Sequence, residues 1–305
     1  MEKIKPNRVQ NEVVLENERS QGVEKLVNEL TTFKFFKYIY AKSMFKMFGL
    51  NLLMCLFLIP ILVLYYNFIM EVSAVSGMIS LNSSVGLGFS YWSGTADFYT
   101  MASNSLKSTF WIWAIPAITA TSIAFAGGIA VIRNAFWTGE LNVSKNFYKG
   151  IYECGLVAFV GFAIISGAVC GLQHLNFALV NLPSVVSVII NIVGWVIIAL
   201  VGMFVFALSS VIVTYKQTFA VSVKTTLAII KKYFISTILN FIMSLMPVFV
   251  VLLFASSQLA IILIVLIAMI GMYYVALVWQ THMMKIFSIY HPVEKKVIKH
   301  KKQYK

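Results

Sequence analysis

The chain has 305 residues, of which 60% are hydrophobic and 11% are charged. Soluble domains average about 45–50% apolar and about 25% charged residues, so a water-soluble fold could not cover this much apolar surface. A bilayer can, because lipid replaces water around the outer face of each helix. The net charge of +13 would suit nucleic acid, but the basic residues flank apolar runs, so no nucleic acid partner is expected.

The apolar runs predict the domain organisation. Residues 1–32 form a charged tail with no cleavable signal peptide, residues 33–285 form one membrane domain, and residues 286–305 form a basic tail. A hydrocarbon core of about 30 Å needs roughly 20 apolar residues per helix. The sequence therefore predicts an all-α polytopic transmembrane helical bundle of six helices, near residues 47–69, 109–132, 151–172, 188–213, 234–254 and 258–279.

The positions of Lys and Arg predict the orientation. All of them except Lys107 lie before the first predicted helix, after the sixth, or in the connections after the second and fourth helices. Because cytoplasmic loops carry the excess of basic residues, both termini are expected in the cytoplasm of a bacterium, with the protein multi-pass in the plasma membrane. The tail Lys295–Lys305 is expected to attract anionic lipid at about 1 kcal/mol per charge, or to remain a solvated flank.

A basic and aromatic stretch precedes each successive pair of helices. These stretches cover residues 33–46, 143–152 and 219–233. In the third, helical spacing places apolar residues toward lipid and lysines toward water, with Val221, Thr225, Leu227 and Ile229 mixed among Lys224, Lys231 and Lys232. The pattern predicts three degenerate helical hairpins with cytoplasmic interfacial helices, although ordinary membrane-protein patterning would produce much of it without duplication.

Prolines and aromatic residues mark two further features. Pro60 and Pro247 lie in the first helices of their pairs, Pro116 lies in the second helix, and Pro247 is expected to kink the fifth. Residues 71–108 predict a long outer loop, and long loops are often functional. Its aromatic residues either anchor the segment at the membrane interface, which is the favoured interpretation, or stack on a sugar or cover the bundle; they are Tyr91, Trp92, Phe98 and Tyr99.

Residues with catalytic or metal-binding chemistry form no motif. The chain has no HExxH, GxSxG or Walker A sequence and no metal-ligand spacing among its cysteines and histidines. We therefore expect no enzyme activity, catalytic residue, metal or cofactor. Glu153 is expected to pair with Arg133 or Lys149 at the cytoplasmic edge.

Polar and small residues inside the predicted helices indicate packing between them. Thr119, Asn191 and Asn240 can hydrogen-bond between helices at about 1 kcal/mol each. Glycines supply small faces for close helix approach, namely Gly127, Gly128, Gly161, Gly167 and Gly171.

Two stretches resemble a known family. One runs from Phe45 to Pro60 and contains Asn51-Leu-Leu. The other runs from Ala114 to Ala124 with Pro116 and Thr119, and is followed by Arg133-Asn134, Glu140 and Asn146-Phe-Tyr-Lys-Gly150. Together they resemble the YesL-like family of uncharacterised bacterial integral membrane proteins, over at most residues 33–230. The resemblance implies a companion of carbohydrate-uptake systems.

Two functions follow as hypotheses. The first is a non-enzymatic accessory or assembly component of a bacterial envelope or solute-uptake complex, with a protein partner in the membrane. The alternative is a transporter or ABC-type permease subunit that carries a solute between the helical hairpins. A membrane enzyme acting on lipid ranks last, because no acid, base or metal set is present.

Overall fold

The computed structural model describes residues 45–85, 96–138, 142–178, 184–215, 217–253 and 271–290. These residues are helical apart from short turns, and they contain no β-strand, which confirms the all-α prediction. Helix α1 covers residues 45–55 and passes through a 3-10 turn at Leu56–Leu58 into the next helix. The others are α2 (Ile59–Val85), α3 (Ala96–Thr138), α4 (Val143–Ala178), α5 (Ser184–Tyr215), α6 (Phe219–Lys232), α7 (Phe234–Ser244), α8 (Met246–Leu253) and α9 (Met272–Tyr290).

Four helical stretches are long and apolar enough to cross a membrane. They are Phe45–Val75, Met101–Phe136, Val143–Phe177 and Val185–Tyr215, and α6 with α7 adds a fifth if that bent pair is one span. Their surfaces expose large apolar side chains, such as Val185, Ile189 and Ile192 of α5, at 67%, 55% and 59%. Apolar residues on the outside of an apolar bundle need lipid around them, so the helices indicate a multi-pass membrane protein.

The predicted six-helix count remains a prediction. Residues 258–270 of the sixth predicted helix lie outside the described residues. The helix that follows, α9, continues to Tyr290, eleven residues beyond the predicted end at 279 and five residues into the predicted C-terminal tail. Hydropathy finds only the apolar part of a helix, whereas backbone hydrogen bonding can continue the helix into polar sequence.

The predicted outer loop at 71–108 is wrong over most of its length. Helix α2 extends to Val85 and α3 begins at Ala96, so residues 71–85 and 96–108 are helical. Phe98 and Tyr99 therefore belong to α3, whereas Tyr91 and Trp92 lie outside the described residues. The many Ser and Asn residues lowered the hydropathy without preventing a helix.

Helices α3, α4 and α5 pack in succession. Contacts from Ser108 to His174 and from Thr119 to Ser166 show that α3 and α4 are antiparallel, and α3 with α4 is the most extensive helix contact among the described residues. These two helices were assigned to different hairpins, so the hairpin arrangement remains a prediction.

Glycine allows the close approach of α3 and α4. A Cβ added at Gly150 would lie 2.6 Å from the backbone oxygen of Ala126, and one at Gly127 would lie 2.5 Å from the ring of Phe147. Only hydrogen fits at such distances, because helix interfaces are packed as densely as crystals. Gly127, Gly128 and Gly161 thus meet neighbouring side chains as expected, whereas nothing described lies within 4 Å of a Cβ at Gly167 or Gly171.

Two of the three predicted interfacial helices differ from expectation or lie outside the described residues. Residues 143–152 continue without a break into α4, which runs from Val143 to Ala178, so no separate interfacial helix forms there. Residues 33–44 are outside the described residues. The third stretch does form a distinct helix, α6.

Candidate functional site

Helices α6 and α7 meet at Tyr233 at an angle of 98°. Tyr233 leaves helical geometry, with φ −118° and ψ 30°. Its N–H donates to the carbonyl of Ile229 and its carbonyl accepts from the N–H of Thr237, both at 2.9 Å. One residue therefore ends α6 and begins α7, and α6 runs across the direction of the apolar helix that follows it.

One face of α6 packs against the bundle. Its buried residues are Ser222, Thr226 and Ile229, and the hydroxyl of Thr226 donates to the carbonyl of Ser222 at 2.8 Å. Phe219 and Leu227 are 60% and 54% exposed. Ile229 was expected on the lipid-facing side and instead belongs to the buried face. Ser222 and Thr226 share this face with Ile229, and because they are small, the face can approach the bundle closely.

An aromatic group fills the centre of the described bundle. This Trp279 cluster comprises Phe125, Phe162, Phe206, Phe241 and Trp279, from five different helices. The Trp279 side chain is fully buried, and its Nε1 donates to Ser210 Oγ at 3.0 Å and to the Phe206 carbonyl at 3.3 Å. The cluster joins α9 to α5 and α7 and closes the space between them.

Gln280 follows Trp279 and is fully buried. Neither its Nε2 nor its Oε1 has a hydrogen-bond partner within the part of the chain that the structure describes. A buried amide without partners costs about 1–3 kcal/mol in proteins. Most other buried polar groups here are satisfied by their own helix, as when Ser209 Oγ donates to the carbonyl of Val205 at 2.9 Å.

A second polar group lies where the C-terminal end of α4 meets α3 and α5. Asn176 and Asn191 exchange reciprocal amide hydrogen bonds at 2.8 and 2.7 Å. On the other side of α4, Ser108 Oγ lies 2.8 Å from His174 Nε2, and His174 Nδ1 lies 2.9 Å from the carbonyl of Cys170. These contacts tie three helices together at one end of the bundle.

The structure disperses the other predicted positions. Thr119 Oγ1 donates to the Ile115 carbonyl at 2.6 Å and lies 3.4 Å from Ser166 Oγ. Asn240 Nδ2 donates to the Val278 carbonyl at 3.5 Å, which links α7 to α9. Arg133 is buried on α3 and Glu153 is half-buried on α4, and the predicted ion pair between Glu153 and Arg133 or Lys149 remains a prediction.

The three prolines have different effects on their helices. Pro60 follows the 3-10 turn at Leu56–Leu58. A helix would need an N–H at residue 60 to donate to the Leu56 carbonyl, and proline has none. Pro116 lies inside the continuous helix α3. Pro247 is the second residue of α8, just after Leu245 interrupts the helix, so the predicted fifth helix is broken there into α7 and α8.

No metal site is apparent among the described residues, which place no three His, Cys, Asp or Glu side chains together. The chain matches no family model, no curated protein and no solved structure. The resemblance to the YesL-like family therefore remains a prediction.

Sequence reasoning missed Trp279, Ser210 and Gln280. Trp279 was taken only as the end of the sixth predicted helix, and Ser210 lies within the fourth predicted helix without being singled out. The signal available was the run Trp279-Gln-Thr-His282, in which four residues capable of hydrogen bonding follow an apolar helix. The partners of Trp279 lie on α5, about 70 residues away in the chain, which local patterns do not indicate.

Proposed function

We propose that the protein is a non-enzymatic membrane component, an accessory or assembly partner of a bacterial envelope or solute-uptake complex. The observation that supports it is an open face of small residues on α4. Ala163, Gly167 and Gly171 follow one another at four-residue spacing, and nothing described lies within 4 Å of a Cβ at either glycine. In membranes such a face lets a second helix approach closely.

The packed interior also favours this role. Gly150 and Gly127 bring α3 and α4 into direct contact, and the Trp279 cluster fills the space where α5, α7 and α9 meet. A closely packed bundle of this kind suits a component that positions another protein. In this proposal, both termini and α6 lie on the cytoplasmic side of a bacterial plasma membrane.

The test is co-purification from native membranes in mild detergent. Gly167→Leu and Gly171→Leu, which fill the open face, should release a stoichiometric membrane partner that the wild-type protein retains. Ala199→Leu is the matched control, because Ala199 is exposed on a different helix, α5. Equal retention by all variants, or a wild-type protein that purifies alone, would contradict the proposal.

Gln280 favours the second candidate, a transporter or permease subunit. Its buried amide, with no partner among the described residues, could bond to a solute passing between helices. Purified protein in liposomes, tested with a panel of solutes, distinguishes the two. Uptake that is lost in Gln280→Leu would establish transport, whereas no uptake by the wild-type protein would leave the accessory role.

A further inference from the structure

Helix α6 has three distinct faces. At 100° per residue, Ser222, Thr226 and Ile229 form the buried face that packs on the bundle. Beside the buried face lies an apolar stripe, whose residues follow one another at spacings of four, four and three. They are Phe219, Val223, Leu227 and Ile230. Lys224 and Lys231, seven residues apart, share a third face beyond the stripe.

The apolar stripe of α6 is covered only at its C-terminal end within the described part of the protein. Ile230 packs against the bundle core, whereas Phe219 and Leu227 are more than half exposed and Val223 is partly exposed. Because α6 crosses the direction of α7 at 98°, a membrane-spanning α7 would lay α6 along the bilayer surface. The stripe would then enter the acyl region, as in other interfacial helices.

Both lysines lie beside this stripe rather than opposite it. Lys224 and Lys231 are exposed, and about 10 Å of helix separates them at 1.5 Å per residue. An acidic soluble protein would match the lysines and leave the apolar stripe in water, and an apolar protein segment would cover the stripe and leave the charges unmatched. An anionic lipid matches both, because its phosphate lies directly above its acyl chains.

We propose that α6 lies in the membrane interface and that Lys224 and Lys231 bind the headgroup phosphates of anionic lipids. The stripe sets the depth of the helix, and the two lysines select the lipid. This site is distinct from the C-terminal basic tail and independent of the partner proposed for α4.

The depth of α6 is testable in the full-length protein in lipid nanodiscs. Nitroxide labels at Val223→Cys and Leu227→Cys, with the three native cysteines replaced by alanine, should collide more with oxygen than with a water-soluble nickel chelate. A label at Ala228→Cys, about 100° from Leu227 around the helix, should show the reverse. Nickel-dominated collisions at all three positions would overturn the proposal.

Lipid selection needs a charge-matched control. Phosphatidylglycerol and phosphatidylcholine retained by the detergent-solubilised protein are counted by native mass spectrometry. Lys224→Gln with Lys231→Gln should reduce the preference for phosphatidylglycerol, by about fivefold per lysine, and Lys301→Gln with Lys302→Gln should reduce it less. Equal reductions would show diffuse attraction and overturn the site. An unchanged preference for phosphatidylglycerol would also overturn the site. If a bound protein were lost at the same time, the lysines would bind that protein rather than lipid.

Discussion

Trp279 on α9 donates from its indole Nε1 to Ser210 Oγ on α5 at 3.0 Å, a link between residues 69 positions apart in the chain. The Ser210 hydroxyl also lies 3.0 Å from the carbonyl of Phe206, to which it can donate in turn. The indole is therefore linked to the Phe206 carbonyl of α5 in two ways, by a direct hydrogen bond and through the Ser210 hydroxyl. Inside a membrane protein, where the surrounding lipid offers no hydrogen bonds, this pair fixes how α9 packs on α5.

Ser210→Ala should weaken this packing. The indole then keeps only its longer bond to Phe206, and the expected loss is about 0.6 kcal/mol of unfolding free energy, the average for interhelix hydrogen bonds in a membrane protein. Ser209→Ala is the control, because Ser209 is equally buried and donates to its own helix at Val205. Unfolding in mixed micelles measures both, and an equal effect of the two substitutions would mean that the indole bond contributes nothing.

Gly150→Ala should separate α3 from α4. The new Cβ would approach the Ala126 backbone oxygen to 2.6 Å, and backbone cannot move aside as a flexible side chain can. We expect destabilisation by about 1–3 kcal/mol, as for overpacked cores. Gly171→Ala meets nothing described within 4 Å, so it should be neutral or stabilise by up to about 1 kcal/mol through helix propensity.

Thermal denaturation in detergent, followed by circular dichroism, compares these two glycine variants directly. A stable Gly150→Ala protein would show that the two helices are not in the close contact described. A destabilised Gly171→Ala protein would show that its face is covered within the chain.

The amide pair between Asn176 and Asn191 should behave as a unit. Either single substitution to Ala removes both reciprocal bonds and leaves one amide without its partner, so each should cost about 1 kcal/mol. The double variant should cost less than the sum of the two, which a double-mutant cycle in the same unfolding assay measures. Additive losses would indicate that the two side chains do not interact.

Gln280→Leu tests whether the buried amide is a structural cost. If Gln280 has no partner in the folded protein, a leucine of similar size should raise the unfolding free energy by about 1–3 kcal/mol. Thr281→Val is a useful comparison, because the Thr281 hydroxyl donates to the Leu277 carbonyl at 2.6 Å and its loss should not stabilise. A destabilised Gln280→Leu protein would mean that the amide is hydrogen-bonded.

Hydropathy and charge predicted the general architecture because both act locally along the chain. Apolar runs of roughly 20 residues indicated the helices found at Met101–Phe136 and Val185–Tyr215. The mixed apolar and basic spacing of residues 219–233 predicted a helix, and α6 occupies Phe219–Lys232. An interfacial helix at 219–233 followed by a membrane-spanning helix implied a bend between them, although no proline or glycine marks the bend at Tyr233.

Contacts between distant helices could not be predicted in the same way. Asn51 lies in the first predicted helix, but nothing in the sequence indicated that its Oδ1 accepts from the N–H of Tyr273 at 2.9 Å. Gly167 and Gly150 look alike in sequence, yet only Gly150 meets backbone of a neighbouring helix. Which face of a helix is covered depends on tertiary packing. The predicted outer loop was wrong for a different reason, because the polar ends of α2 and α3 lack the apolar runs by which the helices were recognised.

Cysteine accessibility in intact cells tests the central claim, an oriented multi-pass bundle with α6 on the cytoplasmic surface. Two exposed positions report on the predicted cytoplasmic side, namely Ala228 on α6 and Ser144 at the start of α4. A membrane-impermeant maleimide should label Ser83→Cys and Ser93→Cys from outside, and should label Ser144→Cys and Ala228→Cys only after permeabilisation. Labelling of Ala228→Cys in intact cells would contradict the account.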